Sequence, residues 1–399
     1  MRHVLDKIFR QKQPYWIMRG TSALALVLLL LMTTTCGHGQ SGGEPETDGN
    51  IDTDAGHPNK VTVVTVDPNE KVVRFGIITD SHTDTSASIG SSWANVRRNQ
   101  TLIKDFNIDC VTAGCLGAVH MGDMIDTKDI QKLIAFRQLY EQGYPGKDAG
   151  AIANCDPVYF DCHDWYSEGH RINKAVLPTI GNHDLSKYSD GWAHAVDYIG
   201  DLIVDAPGII SRYKKATYTW RWGRYWFIQL GLWAGDCEYE NAPCIDYNKI
   251  NWLKAWLSEH VGTSGDGVLI FQHYGWDGGT SKGKDANGNA IWWSDFQREL
   301  EVNVLCRREN SSDPCNKYNV LGIFTGHNHD QDFPVIPAGK DTKGKDVSFQ
   351  NIVFRDSGFE ADHYGYSIVY LDGVKLKINT KNVGGNEWYW WEKDINLDP

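Results

Sequence analysis

Long apolar runs are nearly absent from this chain of 399 residues. The one clear stretch, Ala23–Met32, is too short to span a bilayer comfortably and has the length of a signal h-region. A polytopic membrane protein is therefore excluded. Proline is sparse, at 13 residues, and the 40 glycines follow no Gly-X-Y period, so a collagen-like chain is excluded and many turns are expected. Positive charge is also short: 39 Lys and Arg stand against 51 Asp and Glu, a net −12. Met1–Thr35 carries +4, which leaves −16 on the remainder. So acidic a body repels nucleic-acid phosphates, and bulk nucleic-acid binding is not expected. Closely spaced CxxC pairs are missing as well, which removes a zinc ribbon.

What is present falls into three segments. Residues 1–36 combine a basic stretch ending at Arg19 with the apolar run, and read as a signal segment. Cys36 follows Thr33-Thr34-Thr35 and resembles the lipid-modified first residue of a bacterial lipoprotein, although Thr33 stands where that motif usually has Leu. The alternative is an uncleaved signal anchor. Residues 37–60 are rich in Gly, Asp, Glu and Pro and read as a flexible acidic tether. Residues 61–399 form the folded domain. Nine cysteines minus Cys36 leave four close pairs: Cys110/Cys115, Cys155/Cys162, Cys237/Cys244 and Cys306/Cys315. An even remainder in an exported chain reads as four local disulfides, each worth about 2–3 kcal/mol in the chain-entropy account. The expected location is the cell envelope, lipid-anchored, or the exterior.

Within residues 61–399, apolar runs at 72–79, 118–121, 176–180, 268–271, 320–325 and 352–354 predict buried strands. Helices are expected at 93–106, 128–142, 248–260 and 294–305, giving an α/β alternation. Hairpins are expected around Gly223-Arg224 and Asp372-Gly373, so the sheets should be mixed. Residues 201–215 and 280–289 read as loops or cap elements, 339–345 as a surface loop, and Trp388-Tyr389-Trp390-Trp391 as a staple holding the tail.

Five polar clusters follow predicted strands: Asp80-Ser81-His82, Gly122-Asp123-Met124-Ile125-Asp126, Gly181-Asn182-His183-Asp184, His273 and Gly326-His327-Asn328-His329. Strand C-terminal ends are where open α/β sheets gather their active sites. Oxygen from Asp and Asn with nitrogen from His suits Mn, Fe, Zn or Ni. The number of such donors exceeds the needs of one ion and fits two divalent or trivalent ions that share a carboxylate. Each motif alone is weak, but together and in this order they carry a strong signal.

The set resembles the calcineurin-like metallophosphoesterase superfamily over residues 80–329. That resemblance implies a four-layer α/β/β/α sandwich with two mixed β-sheets, a dinuclear centre and a phosphoester substrate. Carried over by position, Asp80, His82, Asp123 and His329 would hold one metal. Asp123 as bridge, with Asn182, His273 and His327, would hold the other. His183 would serve as general acid, Asp126 would orient it, and Asp184 would support the same loop. Thr127 stands where the protein Ser/Thr phosphatases have Arg, and Asp126 stands where purple acid phosphatases have Tyr. Phosphomonoesterase and phosphodiesterase activity, on lipid head groups or nucleotides, both remain open, with a catalytically silent metal-binding surface protein as the rival class. Tyr274, Trp276, Trp292 and Trp293 form either a substrate rim or packing under a loop. Lys128 and Lys187 are taken as solvated, and His120, His163, His170, His194 and His363 as structural. Any contact with a membrane is expected only through the N-terminal anchor.

Overall fold

The structure is a computed structural model that describes residues 58, 60–84, 92–126, 130–142, 171–185, 192–238, 246–275, 281–284, 290–292, 295, 298–306, 315, 318–357 and 364–397. The signal segment, Cys36 and the tether up to residue 57 lie outside them. In chain order the first half runs β1 (Val73–Ile78), α1 (Ser92–Ala113), β2 (Ala118–His120), α2 (Ile130–Tyr140), β3 (Val176–Pro178), α3 (Trp192–Ile203), β4 (Ile209–Tyr213), β5 (Thr217–Trp222) and β6 (Tyr225–Gln229). The second half runs α4 (Tyr247–Trp256), a π-helical turn Leu257–Val261, β7 (Gly267–Gln272), β8 (Ser281–Lys284), β9 (Ala290–Trp292) and a π-helix Arg298–Leu305. It ends with β10 (Val320–Thr325), β11 (Val335–Lys340), β12 (Asp346–Val353), β13 (Gly365–Leu371), β14 (Lys375–Asn382) and β15 (Glu387–Asp394).

Two mixed sheets result, six-stranded β15-β14-β13-β1-β2-β3 and seven-stranded β11-β12-β10-β7-β6-β5-β4. The fold class is thus α/β with two mixed sheets. β1, β2 and β3 are parallel, as are β6, β7, β10 and β12. The loops that leave β1, β2, β3, β7 and β10 are the ones that carry the five polar clusters.

Alternation along the strands explains why the sheets face each other. In β6, Tyr225 and Phe227 lie in the inter-sheet core while Trp226 and Ile228 pack with Ile250, Leu253 and Trp256 of α4. Burial on both faces goes with an apolar run from Tyr225 to Ile228, and only Gln229 at its end is polar. Between the sheets Phe75 meets Phe227 edge-on at 5.1 Å, Trp220 stacks on Phe227 at 5.2 Å, and Phe271 lies 4.9 Å from Phe324. Each such ring contributes about 1.5–3 kcal/mol by burial. Asp246 caps α4, accepting from the Asn248 and Lys249 amides at 3.0 and 3.4 Å.

Several elements differ from those the sequence predicts. Residues 201–215 are not a loop: they contain the end of α3 and all of β4. Gly200 interrupts the helical pattern in sequence, yet Val196, Ile199, Leu202 and Ile203 are buried on one face. Residues 280–289 include β8, and 339–345 begins as the end of β11. Expected helix 248–260 changes from α to π winding at Leu257, and within 294–305 residues Arg298–Leu305 are π-helical. The C-terminal aromatics are not a buried staple. They form β15, an edge strand paired antiparallel with β14, and Trp390 is 74% exposed. Trp391 is partly buried and stacks on Phe333 at 4.8 Å. Backbone pairing, the rings of Trp388 and Trp391 and the buried Ile395 and Leu397 hold the tail. Among the described residues no helix is long and apolar enough to cross a membrane.

Candidate metal centre

The loops after β1, β2, β3, β7 and β10 converge on one buried cluster. Asp80, His82 and His329 form a first group whose donor atoms lie within 4.8 Å of one another. Asp123, His273 and His327 form a second, and His82, Asp123 and His183 a third, by the same measure. Asp123 belongs to two groups and so lies between the halves: its Oδ2 is 3.5 Å from His82 Nε2 and 3.3 Å from His273 Nε2. His329 Nε2 is 3.6 Å from Asp80 Oδ1 and 3.3 Å from His82 Nε2. Asn182 Oδ1 lies 3.0 Å from His273 Nε2, which brings its amide oxygen to the second group. All seven expected ligand side chains therefore meet in one place.

The backbone is bent to present them. Asp80, His82, Asp123, His327 and His329 all hold positive φ, between 43° and 70°. Asp and His tolerate this region better than most residues, but each instance still costs on the order of 1 kcal/mol or more. Surrounding contacts hold the loops. The Asp80 carboxylate accepts from the His327 amide at 3.0 Å and from Thr79 Oγ1 at 2.6 Å. Asp123 Oδ1 accepts from the His183 amide at 2.8 Å. The motif glycines are explained by these carboxylates: a Cβ at Gly181 would strike Asp123, and one at Gly326 would strike Asp80 and Thr79. Asp184 joins two loops, accepting from the Gly181, Met124 and Ile125 amides at 2.7, 3.3 and 3.2 Å. Burial, and then repulsion from Asp123, pushes its carboxyl up to about 7.

The electrostatics show what the cluster accommodates. Burial alone would raise Asp123, but His273 and His82 outweigh it and hold the carboxyl well below its usual range. Burial alone would lower His273, but the Asp123 carboxylate outweighs it and keeps the imidazole up at about 9. Two buried carboxylates are thus balanced by protons on imidazoles, the condition that a bound cation reverses by displacing those protons. The N/O donor set, without thiolate, fits Mn, Fe, Zn or Ni. The residues fit a metal centre.

His183 sits at the edge, its side chain 39% exposed, with its ring 4.6 Å from that of His82. Its Nδ1 lies 2.7 Å from the Asp126 carbonyl oxygen, while the Asp126 carboxylate lies 3.5 Å from that nitrogen and 3.6 Å from His82 Nδ1. Tyr274 is partly buried: its ring packs edge-on against His327 at 4.5 Å and stacks on Trp233 at 5.4 Å. It forms a wall of the second half of the cluster. The side chains of Trp276, Trp292 and Trp293 lie outside the described residues, as do Thr127, Lys128, Lys187, His163, His170 and His363 and the side chain of His194. His120 is buried, with Nε2 3.0 Å from Ser81 Oγ. Trp233 and Asp236 belong to no motif, and nothing in the local sequence marked them. Two disulfides occur among the described residues, Cys110–Cys115 and Cys306–Cys315, with Cα separations of 5.1 and 4.5 Å. Cys237 is also disulfide-bonded, and Cys155, Cys162 and Cys244 lie outside.

No protein-family model matches the chain, and no curated protein matches it. Among solved structures it is similar to the purple acid phosphatase PPD1 from yellow lupin (Lupinus luteus), at 12% identity and a TM-score of 0.43 over 83% of this chain and 55% of that one. It is similar to PhoD at 10% identity and a TM-score of 0.45, over 84% and 72% of the two chains. A predicted phosphoesterase from Streptococcus pneumoniae TIGR4 matches at 10% identity and a TM-score of 0.29, over 81% and 98%. The chain thus spans about half the length of the lupin protein.

Proposed function

We propose that the chain is a metal-dependent hydrolase of phosphoester bonds, of the calcineurin-like metallophosphoesterase kind. The observation that carries this reading is the pair of donor groups joined through Asp123, with His183 at its edge tied to a neighbouring backbone carbonyl. Asp80, His82, Asp123 and His329 would hold one ion, and Asp123, Asn182, His273 and His327 the other. When bound, such ions supply Lewis acidity toward phosphoryl oxygens and lower the pKa of a water nucleophile.

The chain's own residues do the rest. A carbonyl oxygen only accepts, so the hydrogen bond to Asp126 places a proton on His183 Nδ1. His183 Nε2 is then the nitrogen available to the leaving oxygen, and the charged ring delivers its proton there as general acid. The Asp126 backbone orients His183, and its carboxylate also faces His82. Asp184 keeps the loops of Asp123 and His183 in register.

For substrate we infer a phosphodiester or a bulky organic phosphate. Its support is the missing Arg after the GDxxD motif, the −16 of the body and the aromatic wall at Tyr274. For location we infer export with Cys36 acylated, which the disulfides support because such bonds persist in oxidising compartments. The deciding experiment compares p-nitrophenyl phosphate with bis-p-nitrophenyl phosphate on the metal-loaded full chain. Metal-dependent turnover, lost on chelation, is expected, with kcat/KM higher for the diester. A hundredfold preference for the monoester would end the diester reading. No turnover of either ester would leave a metal-binding surface protein.

A further inference from the structure

Ser81 lies between two cluster residues, Asp80 and His82, whose backbones hold φ of 51° and 43°. Side chains disfavour that region, so the segment needs contacts outside itself to hold it. Backbone bonds from the Asp80, His82 and Thr83 amides to the Gly122, Asp123 and Met124 carbonyls supply part of them, and helix α1 supplies the side-chain part. Asn95 and Asn99, four residues apart and therefore on one helical face, both donate to the Ser81 carbonyl oxygen, at 3.1 and 3.0 Å. Asn99 is itself fixed: its Nδ2 also meets the Asn95 carbonyl at 3.0 Å, and its Oδ1 accepts from Tyr140 Oη of α2. From the other side Ser81 Oγ donates to the Met124 carbonyl at 3.0 Å. All these side chains are buried.

Asn is a poor helix former, and burying an amide is costly unless its donors are used. Two of them in one helix, aimed at one peptide, make a local rule give way to a purpose at a distance. With both lone pairs of the Ser81 carbonyl engaged, and the same peptide's N–H, that of His82, donating to the Asp123 carbonyl at 2.9 Å, the peptide can rotate only by giving up three hydrogen bonds. Such a rotation would turn Asp80 and His82 away from each other.

We propose that Asn95, Asn99 and Tyr140 are positioning residues that hold the Asp80–His82 segment preformed and so set the metal affinity of the Asp80/His82/His329 half of the cluster. This rests on reading the cluster as a metal centre. Nothing in the local sequence around these three residues marks them for that role; only the packing of α1 and α2 behind β1 does.

The test titrates the metal-stripped full chain with Co(II), following its visible absorption and the metal content after gel filtration. In N95A/N99A one Co(II) of the two should bind about ten- to hundredfold more weakly, the usual cost of removing groups that support a metal ligand. N99D keeps the acceptor for Tyr140 but offers Ser81 no donor, so it should behave as N99A. Y140F should shift the same ion by less. L102A removes buried bulk from the same helix and touches none of these bonds. It should lower the melting temperature while leaving both affinities unchanged. Should the double variant fail to fold, N95A alone carries the test with a smaller shift. Wild-type affinity in N99A and N95A, or an equal loss in L102A, overturns the proposal. A wild-type chain that takes up no Co(II) overturns the metal-centre reading itself and this inference with it.

Discussion

His183 is held by the backbone of Asp126 and not chiefly by its carboxylate: Nδ1 is 2.7 Å from the carbonyl oxygen and 3.5 Å from Oδ1. The carboxylate therefore serves two imidazoles, those of His183 and His82, and the two residues separate by mutation. His183→Ala should keep metal content and lose about 10²–10⁴-fold in kcat. Asp126→Asn leaves the carbonyl bond and should act mainly through His82, weakening metal retention by about 10–100-fold. Asp123→Asn should lose both metal and rate. Metal analysis beside kcat for each variant checks the pattern, and equal metal loss in His183→Ala would make that residue a ligand.

Metal removal should destabilise the fold. Left-handed backbone at Asp80, His82, Asp123, His327 and His329 costs free energy that a ligand binding only the folded chain offsets. At a free metal concentration of 100 times Kd the gain is about 2.7 kcal/mol per site. Calorimetry with and without chelator should show the melting temperature fall and recover on adding metal. An unchanged temperature would contradict the prediction.

A fully buried ion pair braces the wall behind His273 and His327. Lys249 Nζ lies 2.6 Å from Asp236 Oδ1, and Asp236 Oδ2 accepts from the Leu232 and Trp233 amides. Breaking such a pair leaves a buried charge unbalanced, so Lys249→Met should cost about 3–5 kcal/mol in urea unfolding. Asp236→Asn keeps one acceptor for the amides but turns an NH2 towards Lys249 and leaves that charge unpaired, so it should cost a similar amount.

Acid should weaken the metal-free chain partly through His120, which burial pushes down to about 3 from 6.5. Between those values the unfolded chain binds the extra proton, so this contribution is complete above pH 6.5 and declines as pH falls towards 3. The stability difference between wild type and His120→Gln, measured with chelator present, should shrink by about 2–3 kcal/mol from pH 7 to 4.5. A pH-independent difference would show that His120 is not titrating in this way.

Peptide mapping without reduction should recover 110–115 and 306–315 as linked pairs. It should also recover 155–162 and 237–244, with Cys36 acylated and unlinked. A bond from Cys36 to another cysteine would remove the lipoprotein assignment.

The α/β class, most strand positions and the candidate ligands were legible in the sequence because short-range signals write them. Apolar runs such as Val320–Thr325 mark buried strands, and Asp-x-His or Gly-Asn-His-Asp after a strand places donors at its end. Winding and edges were not legible. Residues 257–261 wind as π without a local sequence signal for it, and β15 is an edge strand that aromatic content does not reveal, since ring content says nothing about strand pairing. The same holds around the cluster. Sequence alone named Asp80, Asp123 and His273, but only the tertiary fold brings Asn95, Asn99 and Tyr140 behind Ser81, Trp233 behind Tyr274, and Lys249 onto Asp236. Ligand identity is local chemistry, written residue by residue; ligand geometry depends on contacts between segments far apart in the chain, and those exist only once the sheets have packed.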